Sequence, residues 1–319
     1  MTIPVEKITK VVSHANCPDG IASAMIVRDA LPSVPIEFMQ YNTPEHENMV
    51  VQEGLTFVDF SPHHSRYQEF IDGGAFCLDH HKGAKDVVAA FGERGVYADE
   101  KEEPGVSGAV LAFRHIWQPS VYRIKRLGKM VGEQEVSRFA ELAGIRDTWQ
   151  TKSPDWFLAK KQAQTLMRLP RDFWMSIDLA EAIDLLNGTL PAFIDDDWNE
   201  SILRKVREAW RTKSEKGTKV VLFEGTRSSS DAAELIDKDA DLVVGFNMFV
   251  EGGERKIIYS TRSHTGFDCK ALAKMFPGGG GHTAAAGFNT LVNHEGKNPY
   301  DMFIEILDMF EGGWVLPKD

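Results

Sequence analysis

Cysteine is scarce in this 319-residue chain: Cys17, Cys77 and Cys269 lie far apart and form no Cys-x-x-Cys pair. That excludes a disulfide framework and points to a reducing, cytoplasmic setting. No apolar run approaches the roughly 20 residues of a membrane span. Residues 1–10 carry Glu6, Lys7 and Lys10 and no signal-peptide core, so no membrane partner is expected. Positive charge is also short, since 36 Lys and Arg against 47 Asp and Glu leave a net charge of −11. A broad basic face for tracking a long duplex nucleic acid is therefore missing. Phosphate recognition must be local, which suits small or short anionic substrates. Internal repeats and low-complexity segments are absent too. What is present is 43% hydrophobic and 26% charged residues, the usage of a folded chain with a sizeable core, at a length that favours two domains.

The order of elements then suggests an architecture. A β-branched strand over 8–13 ends at His14, a turn follows over 16–20, and a helix runs on through Ile21, Ala24, Met25 and Val27. Further strands are expected over 34–41, 55–59 and 75–79, the last two ending on Asp. Strands alternating with helices predict an α/β fold with a doubly wound, mostly parallel sheet and helices on both faces. In such sheets ligands bind beyond the C-terminal strand ends, where His14, Asp59 and Asp79 fall. Residues 105–150 and 151–217 read as mostly helical, with Val110, Leu111, Phe113 and Trp117 apolar at mixed spacing. A basic run (Arg204, Lys205, Arg207, Arg211, Lys213, Lys216) reads as the solvated face of a connecting helix that ends at Gly217. Strands over 219–223, 242–249 and 256–261, with Gly252-Gly253 as a hairpin turn, begin a second, smaller α/β domain with a mixed sheet. The domains expected are 1–200, a linker helix over 201–217, and 218–319.

Four motifs carry the chemistry: His14-Ala15-Asn16-Cys17-Pro18-Asp19-Gly20, Asp59, Asp79-His80-His81, and Asp147. Carboxylates and imidazoles are the ligand set of Mn²⁺, Mg²⁺ or Zn²⁺. Two such ions about 3.5–4 Å apart orient water and clamp the oxygens of an in-line displacement. A single Asp at a strand end is more often a turn former or helix cap, and Cys77 and Cys269 read as small buried hydrophobes. Asp79-His80-His81 is different, because burying three such side chains together is costly without a partner ion.

That series of motifs, with Gly144-Ile145-Arg146-Asp147 as its last member, resembles the DHH phosphoesterase superfamily. Farther on, Ser260-Thr261-Arg262-Ser263, then Gly278 to Gly281 with His282, then Ala284 to Phe288, resembles the DHH-associated C-terminal domain. The resemblance implies an active site in the cleft between two domains. It implies that Asp19, Asp59, His80 and Asp147 hold one metal, that Asp59 bridges to a second, and that His14 binds the second. His81 would contact the scissile phosphate, and with Asp79 it forms the expected catalytic pair. Arg262, Ser263, Gly279, Gly280, Gly281 and His282 would grip the substrate's phosphate or nucleotide end. Glycines let backbone N–H groups approach phosphate oxygens, and Arg offers a bidentate fork. The chain departs from the family at one point: with Asp19-Gly20 aligned, Cys17 stands where the family's first Asp would be and His14 lies one residue farther upstream. The second metal position is then weaker, built with Asn16 or Cys17, or vacant.

The leading functional reading is a phosphodiesterase or phosphatase that uses one or two divalent ions, Mn²⁺ first and Mg²⁺ or another ion otherwise. Its substrates would be short oligonucleotides or small nucleotide phosphates, as in the nanoRNase and 3′-phosphoadenosine-5′-phosphate phosphatase branch. Two others stay open: exopolyphosphatase-like cleavage of an anhydride, and a non-catalytic nucleotide-binding protein that retains the fold. Phe267 and Phe288 are candidates for stacking on a base, though aromatics at such positions are more often core. A homodimer is left open.

Overall fold

The computed structural model describes residues 3–121, 131–188, 190–226, 229–236, 240–292 and 298–313; residues 122–130, inside the first stretch expected to be helical, lie outside these. The chain divides into two compact units, 1–196 and 197–319.

The first unit is built on five parallel strands: β1 (Lys10–His14), β2 (Ile36–Met39), β3 (Leu55–Val58), β4 (Phe76–Asp79) and β5 (Gly95–Tyr97). They lie in the order β2-β1-β3-β4-β5. Successive side chains of each strand feed opposite layers. Val11, Val58, Phe76 and Leu78 join one core with Met25, Ile26 and Phe139. Val12, Phe57 and Cys77 join the other with Phe60, Phe70 and Phe91. The sheet is thus covered on both faces, which explains why β3 and β4 are buried at every position. Cutting a fully buried side chain such as Phe57 back to Ala would cost about 3–5 kcal/mol.

Helix α1 (Pro18–Ala30) starts with Pro in its first turn, where the missing N–H costs nothing, and is buried continuously from Asp19 to Val27. It has no polar stripe because it packs against β1 on one side and against α2 (Gly108–Ala112) and α3 (Glu133–Asp147) on others. After α2 the chain runs as a π-helical segment over Phe113–Trp117. The extra residue per turn breaks the 3.6 period, which accounts for the mixed spacing of Val110, Leu111, Phe113 and Trp117. Among the described residues no helix is long and apolar enough to cross a membrane.

The second unit holds a mixed six-stranded sheet: β6 (Trp210–Lys213), β7 (Lys219–Glu224), β8 (Leu242–Glu251), β9 (Glu254–Arg262), β10 (Gly280–His282) and β11 (Ala285–Leu291), in the order β10-β11-β9-β8-β7-β6. Only β7 and β8 run parallel. Gly252 and Gly253 take positive φ in the β8–β9 hairpin, as a two-residue turn requires. Tyr259 and Phe288 pack in one core with Phe303 of the helix Pro299–Glu311, and Val221, Phe223 and Val243 face a second. The helix expected to reach Gly217 ends instead at Glu208. The second half of the basic run is edge strand β6, and Gly217 (φ +92°) turns the chain into β7. Charged side chains on a sheet edge carry no apolar alternation, and they blunt that edge against pairing with another chain.

Candidate metal centre

In a 2-1-3-4-5 sheet the connections leave in opposite directions on either side of the β1/β3 boundary, and the crevice beyond the strand ends there is the ligand position. His14 closes β1, Asp59 follows β3, and Asp79 closes β4 ahead of His80 and His81. Asp59 sits at φ +56°, uncommon for a residue with a Cβ. The other positive-φ non-glycines among the described residues are Asn16, Asn42 and Trp149, which lie beside His14, Tyr41 and Asp147 in the chain. Backbone strain is therefore gathered around one place, as at functional sites.

His80 is the centre of the group. Its Nε2 lies 3.2 Å from Asp59 Oδ1, 3.3 Å from Asp147 Oδ2 and 3.8 Å from Asp19 Oδ2. His80 is 7% exposed, Asp19 1% and Asp59 0%. Burial disfavours a charged His80, but the hydrogen bond to Asp59 and the charges of Asp147, Asp59 and Asp19 lift its pKa well above the usual imidazole range. Burial and the charges of Asp59 and Asp147 push the Asp19 carboxyl up. For Asp59, burial raises the pKa and the His14 and His80 imidazoles outweigh it, holding the carboxyl far below the ordinary range.

Asp19 does a second job at the start of α2. It accepts from Ser107 Oγ (2.7 Å), from the Gly108 N–H (2.7 Å) and from the Ala109 N–H (3.1 Å), while the Ser107 side chain caps the same helix. Three glycines make these approaches. A Cβ on Gly108 would sit 2.2 Å from Asp59 Cβ, one on Gly20 would sit 2.2 Å from His14 O, and one on Gly144 would sit 1.9 Å from Gly105 O. None of those distances is tolerable, so Asp-Gly in the first motif and Gly-x-x-Asp in the last follow from packing.

The outer half of the group is His14, Cys17 and Asp59, whose ligand atoms lie within 4.8 Å of one another; Asp59, His80 and His81 form a second such set, and Asp19, His80 and Asp147 a third. Asp59 belongs to two of the three. His14 Nδ1 and Asp59 Oδ2, 3.7 Å apart, are both buried without a hydrogen-bond partner. Orphaned buried polar atoms are costly unless something else satisfies them, and this donor set fits a divalent cation. Burial, reinforced by Asp59, Asp147 and Asp19, pushes the Cys17 thiol up. Asn16 is exposed at φ +57° and serves the turn.

Asp79 is outside these sets. Its Oδ1 accepts from His81 Nδ1 at 2.7 Å and from the His81 N–H at 3.0 Å, and its Oδ2 accepts from the Tyr41 hydroxyl at 3.1 Å. Burial opposes the Asp79 charge, but the His81 imidazolium and its hydrogen bond keep the carboxyl below its usual value. Burial likewise opposes a charged His81, and Asp79 lifts its pKa to about 9. Tyr41 carries no motif and was invisible to sequence reasoning. Its ring lies edge-on to His14 at 5.1 Å, and its oxygen accepts from the Ser61 N–H at 3.1 Å. His46 extends the support, with Nε2 at 3.0 Å from Ser61 O and Nδ1 accepting from the Asn42 N–H. Beside Asp147, Arg146 stacks 4.2 Å over Trp149, which meets Trp156 edge-on at 5.1 Å.

In the second unit, Arg262 pairs with Ala285 across β9 and β11, and Ala285 pairs with His282 across β11 and β10. Directly paired residues share a face, so Arg262 and His282 stand on one side of the sheet with a methyl group between them. Arg262 donates to Ser230 Oγ (2.9 Å), Ser260 Oγ (3.0 Å) and Thr261 O (2.8 Å), which fixes the guanidinium. Gly280 has open space where a Cβ would stand, whereas Gly279 and Gly281 (φ +136°) press on backbone. Ser263 is buried and its Oγ accepts from the Thr265 and Phe267 N–H groups, so that hydroxyl serves a turn. Phe288 is core, stacked on Phe276 at 4.3 Å.

No protein-family model matches the chain, and no curated protein does. Solved structures do. The DHH domain of a member of a family of ribosomal proteins superposes with a TM-score of 0.55 at 12% identity, over 99% of this chain and 88% of that one. An exopolyphosphatase-related protein from Bacteroides fragilis gives 0.48 at 14% identity over 96% and 92%, respectively. A pGpG-specific phosphodiesterase from Vibrio cholerae gives 0.37 at 13% over 95% and 99%. The likeness to that DHH domain is one of fold, which this chain builds as a parallel α/β unit followed by a smaller mixed-sheet unit.

Proposed function

We propose that the chain is a divalent-metal-dependent phosphoesterase acting on short oligonucleotides or small nucleotide phosphates. The observation that carries the reading is the convergence of three carboxylates on His80 Nε2 beside an unpartnered, buried Asp59 oxygen. Asp19, Asp59, His80 and Asp147 would hold one ion, and His14 with Asp59 a second. Divalent ions bound there, Mn²⁺ being the leading candidate, supply positive charge for the phosphate oxygens and make water a better nucleophile at neutral pH.

The protein's own groups do the rest. Asp79 lifts the His81 pKa to about 9, which favours the charged imidazole, and Nδ1 is spent on Asp79, leaving the Nε2–H to donate. As water attacks phosphorus in line and the bond to the leaving oxygen breaks, that N–H offsets charge on the phosphoryl group or protonates the leaving oxygen. Asp79 and Tyr41 act as positioning residues that fix the imidazole's orientation. Arg262 and His282 offer a cationic, hydrogen-bonding face for a terminal phosphate, with the open Gly280 backbone beside them. The net charge of −11 supports small anionic substrates over long duplexes.

The test is release of phosphate or mononucleotide with Mn²⁺ present, from a dinucleotide, 3′-phosphoadenosine-5′-phosphate and polyphosphate in parallel. Cleavage of either nucleotide substrate is expected. Cleavage of polyphosphate alone would replace the nucleotide reading with the anhydride one, and no turnover with ions bound would leave the non-catalytic alternative.

A further inference from the structure

We propose that the second metal position is a nitrogen–sulfur–oxygen site of His14, Cys17 and Asp59 that prefers a borderline ion such as Zn²⁺, Co²⁺ or Fe²⁺ to Mn²⁺. The inference rests on the metal-centre reading and concerns which ion takes which half of it. Cys17 Sγ, a His14 ring nitrogen and an Asp59 oxygen lie within 4.8 Å of one another. The independent observation is Asp59 Oδ2, on a fully buried side chain, which faces His14 Nδ1 and has no hydrogen-bond partner. The other two cysteines differ from Cys17. Cys77 and Cys269 are fully buried in apolar cores and belong to none of the ligand groups among the described residues.

The two halves of the centre are therefore chemically unequal. The inner half offers three carboxylates and one imidazole, a hard set suited to Mn²⁺ or Mg²⁺. The outer half offers a thiol, an imidazole and the shared Asp59 carboxylate, and sulfur selects softer ions. Binding exchanges the Cys17 S–H bond for a sulfur–metal bond, the proton passing to solvent, with no change of oxidation state. A centre of this kind would carry two different ions or, where only hard ions are supplied, fill its inner half first.

The experiment is a Co²⁺ titration of the chelator-stripped full chain, followed by near-ultraviolet absorption and by equilibrium dialysis. A thiolate-to-cobalt charge-transfer band is expected in the wild type and in Cys77→Ala. It should be lost in Cys17→Ser, which still binds an ion in the inner half. Cys17→Asp should lose the band and reverse the preference between Zn²⁺ and Mn²⁺. Co²⁺ held by the wild type without the band would overturn the thiolate site and leave the metal-centre reading standing. No ion held at all, by the wild type or by Asp147→Asn, would overturn both.

Discussion

The strand ends of the first unit and the glycine-rich edge of the second are built on opposite terms. At the first, Asp19, Asp59, Asp79 and His80 are almost wholly buried, and each is fixed by more than one neighbour. At the second, His282 is exposed on a three-residue edge strand and Gly280 faces open space. Buried charge must be paired or neutralised, so a fold that keeps it must specify every neighbour. An exposed edge that offers backbone and a fixed guanidinium leaves most side chains free to vary. The first region concentrates buried charge, and the second leaves a backbone edge open.

Several substitutions can break or sharpen that contrast. The largest effect is expected for Asp59→Asn, which removes the carboxylate that the two proposed ion positions would share. Turnover should fall beyond the ~10²–10³-fold typical of losing one electrostatic group, with ion binding by dialysis lost alongside it. Gly108→Ala comes next, because its Cβ would strike the Asp59 side chain. Overpacking of this kind costs about 1–3 kcal/mol, so the melting temperature and turnover should drop together.

Asp79→Asn should reduce turnover by about 10–100-fold, the usual range for a group that orients a site residue. It should also lower the His81 pKa from about 9 toward the ordinary imidazole value, moving the alkaline limb of the rate profile to lower pH. The same pair has a stability signature. A raised histidine pKa contributes stability that is complete below about 6.5 and is lost as pH rises through about 9. The depressed Asp79 pKa contributes stability present above 3.8 that is lost as pH falls through its lower folded value. Melting curves across pH should show both losses in the wild type and smaller ones in Asp79→Asn, where His80 and Asp59 still contribute theirs.

The second unit should respond through affinity. Arg262→Ala is expected to raise KM for a phosphate-terminated substrate by about 10–100-fold, the worth of a charged hydrogen bond, with ion binding unchanged. Ser263→Ala should cost roughly 1 kcal/mol of stability and leave KM alone, because its hydroxyl accepts two backbone N–H groups. A KM change in Ser263→Ala as large as that in Arg262→Ala would erase the distinction between the gripping residue and the turn residue.

The same contrast explains what was legible in the sequence. Strands β1, β2, β3, β4, β7, β8 and β9 carry β-branched or aromatic residues, and the sequence showed each of them. Strand β5 is three half-buried residues, β6 lies within a basic run, and β10 and β11 draw on glycine and alanine. The edge strands β5, β6 and β10 are too short to show an apolar period, and β11, though paired on both sides, opens on Ala285-Ala286-Gly287. In the centre, His14, Cys17, Asp19, Asp59, His80 and Asp147 come together from motifs spread over 134 positions. Their spacing reflects strand ends, and the Asp-Gly and Gly-x-x-Asp pairs reflect close packing. Tyr41, Ser107 and Gly108 escaped notice because a hydroxyl donor, a helix cap and a missing Cβ acquire meaning only from the partner that the fold brings up.

The central claim is that the β1/β3 crevice is a divalent-metal centre for phosphate-ester hydrolysis. Its most direct test is turnover of a dinucleotide by the chelator-stripped chain as Mn²⁺ is added back, for the wild type beside Asp59→Asn. The account predicts no turnover without the ion, recovery as it is restored in the wild type, and none at any concentration in Asp59→Asn. Turnover that survives the chelator, or that returns equally in Asp59→Asn, would contradict it.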